Sequence, residues 1–523
     1  MSDGESHRSS VTVESCDGRN QRLVSLLSGR LLARNSIWTL LGNGLPLLVA
    51  VWAIPTLIRG LGAARFGLLT IIWMGIGYLN LFDLGTGRAL TKLVAERLGD
   101  GREHELPSLI KLGLRLMFAL GCLAAVIGAV ITPWVTADLL RIPLGLMRES
   151  EWSFLLLAAS LPFVISTAGL IGILQAHQRF ASVAAVRIPM GILTFVGPVI
   201  ALSFTPSLIA TTAVLASCRI LAWLAYGALS QDLRHGMGER SISTRHAMRE
   251  LLSFGGWVSI SNIVGPMMVY FDRFVIGALL TMTAVAYYTT PFDVVTRLTV
   301  ISGALISVLF PAMTAALAGD PIRARVILTR AAGLLLVAVF IPLALIMLFA
   351  SEGLRFWLNP AFAYAGLPVV KWLTIGILIN SSAGLPYAIL QGKGRPDLTG
   401  ILHLVEFPIY AIVLWSMVET FGIVGAAVAW TVRVTIDALA LFVLGIKYVP
   451  ELGQAQQRTM LLTVIMASLL AALAMVHSMW IKIGASSVVL IFGAGWLIKT
   501  GLPAFANSRQ LVVNDQTRVT RIS

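Results

Sequence analysis

Two arginines stand inside long apolar stretches of this 523-residue chain, in the matching settings Ala213-Val214-x-x-Ser217-x-Arg219 and Ala427-Val428-x-x-Thr431-x-Arg433. A charged side chain at the centre of a bilayer costs about 2.5–3.5 kcal/mol on insertion scales, so each needs a partner or a wet cavity. A pair of planar guanidinium groups facing one cleft suits a phosphate or pyrophosphate, because it offers bidentate donors that lysine lacks. The other reading of Arg219 is a bond to helix carbonyls or to an acid on another span. Arg273 and Arg297 lie in further apolar stretches and extend the candidate cationic set. Asp83, Asp272 and Asp293 are the candidate protonation sites for ion coupling. Asp293 with Arg297, and Arg433 with Asp437, stand four residues apart and can pair on one helix face. Glu406 and His403 share a face near the end of an apolar run, either as a hydrated interfacial pair or as a proton relay.

Other chemistries are poorly served. The seven histidines never approach metal-ligand spacing, and no Gly-x4-Gly-Lys-Ser/Thr loop is present to hold a nucleotide, so no metal and no other cofactor is expected. Cys16, Cys122 and Cys218 are too scattered for a disulfide framework. A membrane polymerase, ligase or glycosyltransferase would place its catalytic groups in long loops. The longest expected outer connections, residues 136–151 and 351–366, are too short for a folded domain. No enzyme is expected.

The elements that carry these residues are membrane helices. Hydrophobic residues make up 57% of the chain, charged residues 12%, and the mean hydropathy is +0.85. Soluble domains run at about 45–50% apolar and about 25% charged. A window of about 20 apolar residues yields fourteen candidate spans. They cover residues 36–58, 66–90, 112–135, 152–174, 182–204, 207–229, 251–280, 287–317, 331–350, 367–390, 399–418, 422–446, 459–477 and 485–504. These runs far exceed the ten-residue strands of a membrane barrel, so the fold class is an all-α integral membrane bundle.

The net charge of +14 is sorted by side of the membrane. Only Arg59, Arg65, Arg141, Arg148, Arg355 and Lys482 fall on one set of connections, whereas most of the 39 Lys and Arg fall on the other. Basic connections stay in the cytoplasm, which implies an even span number and two cytoplasmic termini, and accounts for the charge without nucleic acid. The basic stretches 88–115 and 234–249 would meet anionic membrane lipids or simply enforce topology.

Self-comparison shows an ordered repeat. Trp38-x4-Asn43-x2-Pro46 is answered by Trp257-x4-Asn262-x3-Pro266, and Ile173-Leu174-Gln175 with Pro189 by Ile389-Leu390-Gln391 with Pro408. The Arg219 and Arg433 settings complete the series. Two six-helix halves of the same orientation, related by an axis along the membrane normal, would leave a cleft between two lobes. The expected organisation is an N-terminal tail (1–34), a first lobe (35–230), a basic linker (231–250), a second lobe (251–447), an added helix pair (448–504) and a C-terminal tail (505–523). Pro46, Pro266, Pro189 and Pro408 recur at matched places and are candidate hinges.

Three segments resemble a known family. They are Leu61-Gly-Ala-Ala-Arg-Phe-Gly-Leu-Leu69 leading to Phe82-Asp-Leu-Gly85, Tyr270-Phe-Asp-Arg-Phe-Val-Ile-Gly277 leading to Ala286-Tyr-Tyr288, and the loop Leu390-Gln-Gly-Lys-Gly-Arg395. They are similar to the polysaccharide transporter branch of the multidrug/oligosaccharidyl-lipid/polysaccharide exporters. The resemblance implies MATE-like lobes and translocation of an undecaprenyl-pyrophosphate-linked oligosaccharide across a bacterial inner membrane by alternating access. It further implies cationic cavity residues, to which Arg219, Arg273, Arg297 and Arg433 correspond, and work alongside a polysaccharide polymerase and a chain-length regulator. The added pair resembles the plan of the fourteen-helix lipid II flippases. A drug or cation exporter of related fold is the alternative, and would want acids rather than arginines to dominate its cleft.

Overall fold

Apolar segments in lipid must satisfy every backbone N–H and C=O internally, and this chain does so as helix. The computed structural model describes residues 29–79, 86–99, 102–140, 142–234, 270–306 and 321–496, with 268, 309 and 313, and contains no strand among them. The first half supplies α1 (Gly29–Leu79), α2 (Thr86–Gly99), α3 (Leu106–Trp134), α4 (Leu144–Ala176), α5 (Phe180–Phe204) and α6 (Leu208–Leu229). The second supplies α7 (270–279), α8 (Met282–Thr296), α9 (Pro321–Trp357), α10 (Pro360–Gly392), α11 (Pro396–Tyr448), α12 (Gly453–Leu473) and α13 (Met479–Trp496).

Among the described residues, ten stretches are long and apolar enough to span a membrane. Fewer stretches than the fourteen expected spans arise because adjacent spans merge at glycine turns and parts of others lie outside the described residues. Helix α1 leaves helical geometry at Gly62 (φ 77, ψ 162) and α11 at Gly422 (φ 61, ψ −142). Both are left-handed conformations that glycine adopts without the steric penalty of a Cβ. Just past the second turn a Cβ on Gly425 would lie 1.8 Å from the Met417 carbonyl oxygen, so the two arms of α11 lie against each other there. Most of the seventh expected span falls in 235–267, outside the described residues, as do Pro266 and Asp83. Of the second expected span, the described residues carry 66–79 at the end of α1 and 86–90 at the start of α2, and 80–85 lie outside them. That helix carries Arg88, Lys92, Glu96 and Arg97, a polar set that lipid would not accommodate.

The repeat reaches down to individual hydrogen bonds. After α4, Gln178 N–H donates to the Gln175 carbonyl (2.9 Å) and Arg179 N–H to the Leu174 carbonyl (2.8 Å). After α10, Gly394 N–H donates to Gln391 (3.0 Å) and Arg395 N–H to Leu390 (3.0 Å). Both are Schellman closures with a left-handed residue after the helix end, φ 58 at Gln178 and φ 78 at Gly394. Only the second uses glycine. Gln178→Gly is therefore expected to stabilise the protein, and Gly394→Ala to destabilise it, each by about 1 kcal/mol, read as opposite shifts of the unfolding midpoint in detergent.

The chain divides into two compact units, residues 1–61, 75–133 and 148–260, and residues 62–74, 134–147 and 261–523. In the first, α4, α5 and α6 bury Leu170, Leu174, Val183, Val186, Ala222 and Tyr226 together. Gly121 of α3 rides against the backbone of Pro162 in α4, where an added Cβ would come within 2.4 Å of the proline Cα. Pro46 of α1 fills the space beside Gly191 of α5. The opposite face of α3, with Leu123, Val126, Val130 and Trp134, is exposed, as lipid contact requires.

In the second unit α9, α10 and α12 share a core that includes Leu328, Leu335, Ile389 and Leu452, while α10 and α11 meet through Ala383, Leu390, Ala438 and Leu441. Lys371 donates to the Ala474 carbonyl just past the end of α12 (2.7 Å). The segment 62–74 is seated on α8 so closely that a Cβ on Gly67 would fall 1.8 Å from the Met282 carbonyl oxygen.

Candidate functional site

The spans of the second unit gather their charges into two buried groups. In the first, Asp272 and Arg273 of α7 are 0% and 3% exposed. Arg273 donates from Nη2 to Asp293 Oδ1 of α8 at 2.5 Å, and its backbone N–H donates to Asp272 Oδ1 at 2.7 Å. The Tyr288 hydroxyl donates to Asp272 Oδ2. The guanidinium lies over the rings of Tyr270 (4.8 Å) and Phe292 (5.4 Å), contacts that favour a desolvated cation. The neighbouring pair expected on one helix, Asp293 with Arg297, is not formed. Asp293 turns to Arg273, and Arg297 is exposed at the C-terminal end of α8.

The second group lies across the two arms of α11. Arg433 Nε is 3.9 Å from Glu406 Oε1 and its guanidinium is 5.4 Å from the centre of the Tyr410 ring. Here too the expected pair is replaced: Arg433 approaches Glu406, and Asp437 Oδ1 is 3.5 Å from His403 Nε2. The His403 ring stacks on Tyr387 of α10, 6.3 Å between centres and 11° from parallel. Glu406 and Asp437 are each 8% exposed, whereas the His403 side chain is 32% exposed, so the pair of Glu406 and His403 is partly buried. Both Glu406 oxygens, Asp437 Oδ1, Tyr410 Oη and Arg433 Nε are buried without a hydrogen-bond partner.

Each group sets two carboxylates against one guanidinium. One negative charge is left over in each when all acids are ionised, an arrangement lipid penalises unless a proton or another cation joins it. His403, Glu406 and Asp437 bring one donor atom each to within 4.8 Å of one another. The Arg433 charge beside Glu406 disfavours a divalent ion, and a proton or monovalent cation balances the group better.

Arg219 sits in the first unit, on α6. It is half-buried, and its Nε is buried with no hydrogen-bond partner among the described residues. Of the candidate hinges, Pro46 is buried and Pro189 and Pro408 are exposed within continuous helix, so in α1 and α11 the non-helical backbone falls at glycine and not at proline. The sequence joins Glu406 with His403 and Arg433 with Asp437, but its local spacing does not show that the turn at Gly422 folds the four residues together.

Comparison with known proteins places this arrangement. A putative O-antigen transporter from Shigella flexneri is 27% identical over 415 residues, 78% of this chain and 96% of the relative. An inward-facing multidrug resistance MATE family transporter of the MOP superfamily matches with a TM-score of 0.69 at 16% identity, over 81% of this chain and 99% of its own. The lipid II flippase MurJ, in an inward closed conformation, matches with a TM-score of 0.65 at 14% identity, over 90% of this chain and 100% of its own. At these identities the two structures establish a shared fold. Residues 32–317, more than half of the chain, match the polysaccharide biosynthesis protein family, and the chain belongs to that family.

Proposed function

We propose that this protein moves a lipid-linked oligosaccharide, carried on undecaprenyl pyrophosphate, from the cytoplasmic to the outer leaflet of a bacterial inner membrane. The observation that carries this reading is the match to the putative O-antigen transporter over 96% of that relative's length. In this reading two six-helix lobes, 35–230 and 251–447, open alternately to either side, with both termini cytoplasmic. The sugar and pyrophosphate enter a wet cationic space, and the lipid tail stays in apolar surroundings. The longer coverage by the lipid II flippase fold, 90% of the chain against 81%, supports counting the final helix pair within such a plan.

Arg219 and Arg433 are the proposed headgroup contacts, with Arg273 and Arg297 as further cations. The loose approach of Arg433 to Glu406 suggests how cargo and ion are exchanged. A pyrophosphate that draws the guanidinium away leaves the Glu406 carboxyl without its nearest counter-charge, a place that a proton or another cation can fill. Asp272 and Asp293 are the second place where a proton can be held. A polysaccharide polymerase and a chain-length regulator are the proposed partners on the outer side.

The buried acids of the second unit outnumber its buried arginines, which is what a cation exporter of this fold would need. The two readings separate in one pair of measurements. In vesicles, the purified protein is expected to move a fluorescent lipid-linked oligosaccharide to the opposite leaflet, and a strain lacking the gene is expected to lose surface glycan. Intact glycan together with heightened sensitivity to cationic drugs would assign the protein to drug export.

A further inference from the structure

The first unit contains a feature that the transport reading does not use. A cavity of about 850 Å3, open on one side, lies between α3, α4 and α6. Its walls are mostly apolar and include Phe118, Leu170, Trp223 and Gly227, and the polar side chains of Arg115, Ser166 and Gln231 also line it. Phe118 and Trp223 are braced through Phe163, with ring centres 5.9 Å and 5.4 Å from it. The volume falls within the usual range of about 300–1,000 Å3 for small-molecule sites. Gln231 is held in place by its neighbour: Arg179 Nη2 bonds Asp232 Oδ2 at 2.7 Å and holds that exposed carboxyl below its usual range.

We infer that this groove receives the isoprenoid tail of a polyprenyl phosphate lipid, with the phosphate at Arg115. The inference rests on the transport reading above and names where the tail of its cargo docks. Charge complementarity picks the occupant. Arg115 is exposed and makes no hydrogen bond or ion pair among the described residues, and it lines a mostly apolar groove, matched to one anionic head on an apolar chain. Arg219, which does not line the groove, stands farther along α6 and favours a cargo lipid over a resident phospholipid. Arg219 precedes Trp223 and Gly227 on one strip of α6, at i−4 and i−8, and lies about 18 Å of helical rise from Gln231 at 1.5 Å per residue. A phospholipid keeps its phosphate at the interface and has no use for a guanidinium at that depth. A phosphate that travels inward meets Arg115 first and Arg219 second.

The geometry supplies its own blocking variant. A Cβ on Gly227 meets nothing within 4 Å, so Gly227→Phe projects a ring into the groove without displacing the packed core. The full chain is placed in phosphatidylethanolamine vesicles with undecaprenyl phosphate carrying a diazirine on its chain, irradiated, and mapped by peptide mass spectrometry. Adducts are expected on peptides covering residues 114–122 and 223–231. Labelling there should fall by about tenfold in Arg115→Gln and in Gly227→Phe, and unlabelled undecaprenyl phosphate, but not an equal concentration of phosphatidylglycerol, should compete. The unfolding midpoints of both variants, taken on the same samples, identify a loss that comes from misfolding, and Arg115→Lys, which keeps the charge, should retain labelling. Adducts spread evenly over the exposed face of α3, or equal competition by phosphatidylglycerol, would overturn the inference. If the wild-type protein flips the oligosaccharide while the groove goes unlabelled, this site is wrong and the transport reading stands. A labelled groove without flipping has the opposite meaning.

Discussion

Arg273→Ala is expected to lower the stability of the protein by about 3–5 kcal/mol, the usual cost of removing one partner from a buried ion pair. Arg273 is 3% exposed, donates to Asp293 at 2.5 Å, and is the cation beside Asp272, which no water reaches. Truncation leaves the buried Asp272 carboxyl with no counter-charge and takes the partner from Asp293, whose side chain is 40% exposed. The Tyr288 hydroxyl and the Arg273 backbone N–H still serve Asp272, but neither carries charge. The measurement is equilibrium unfolding in detergent at neutral pH. The double variant Arg273→Met with Asp272→Asn should recover much of the loss, because it removes the cation and the fully buried anion together and keeps the volume filled. A single variant as stable as the parent would mean that both aspartates are already neutral in the folded protein, and the ion-pair account of α7 and α8 would go.

The prominence of this pair in the structure contrasts with its near invisibility in the sequence. Asp272, Arg273, Asp293 and Arg297 all stood out as charges within apolar runs, and hydropathy alone located them. Local spacing then favoured the wrong partners, since residues four apart on a helix are the nearest candidates a linear reading can offer. The structure prefers partners on other helices or on the far arm of a hairpin, where burial strengthens the attraction. The same applies to α11. Glu406 and Asp437 lie almost equally far from Gly422, so an antiparallel fold at that glycine brings them level. A glycine between two long apolar runs was the available signal, and its positive φ is what the sequence could not declare. By contrast, fold class and the correspondence of residues 173–175 with 389–391 were legible throughout, because membrane length and repeated residue order leave a mark in one dimension. The matched Schellman closures show that such a mark can hold at the scale of single hydrogen bonds even where Gln178 replaces glycine.

In flipping assays Arg433→Ala is expected to slow transport by about tenfold to a hundredfold, the range for losing hydrogen bonds to a charged group. That result alone is ambiguous. Glu406 is 8% exposed with both oxygens unbonded, so taking away the guanidinium 3.9 Å from it strands a buried carboxylate and disturbs the fold as well. Glu406→Gln resolves the ambiguity. In the double variant Arg433→Ala with Glu406→Gln no unbalanced pair remains, and stability should return to within about 1 kcal/mol of the parent. Transport should not return, because a pyrophosphate still lacks its planar donor, and Arg433→Lys should remain slow for the same reason. Glu406→Gln by itself should keep the fold but flatten the dependence of transport on pH, since the carboxyl that can take a proton when Arg433 leaves is gone. Recovery of transport in the double variant would reduce Arg433 to a counter-ion for Glu406. The headgroup would then be held by the other proposed cations, Arg219 and Arg115 in the first unit and Arg297 in the second.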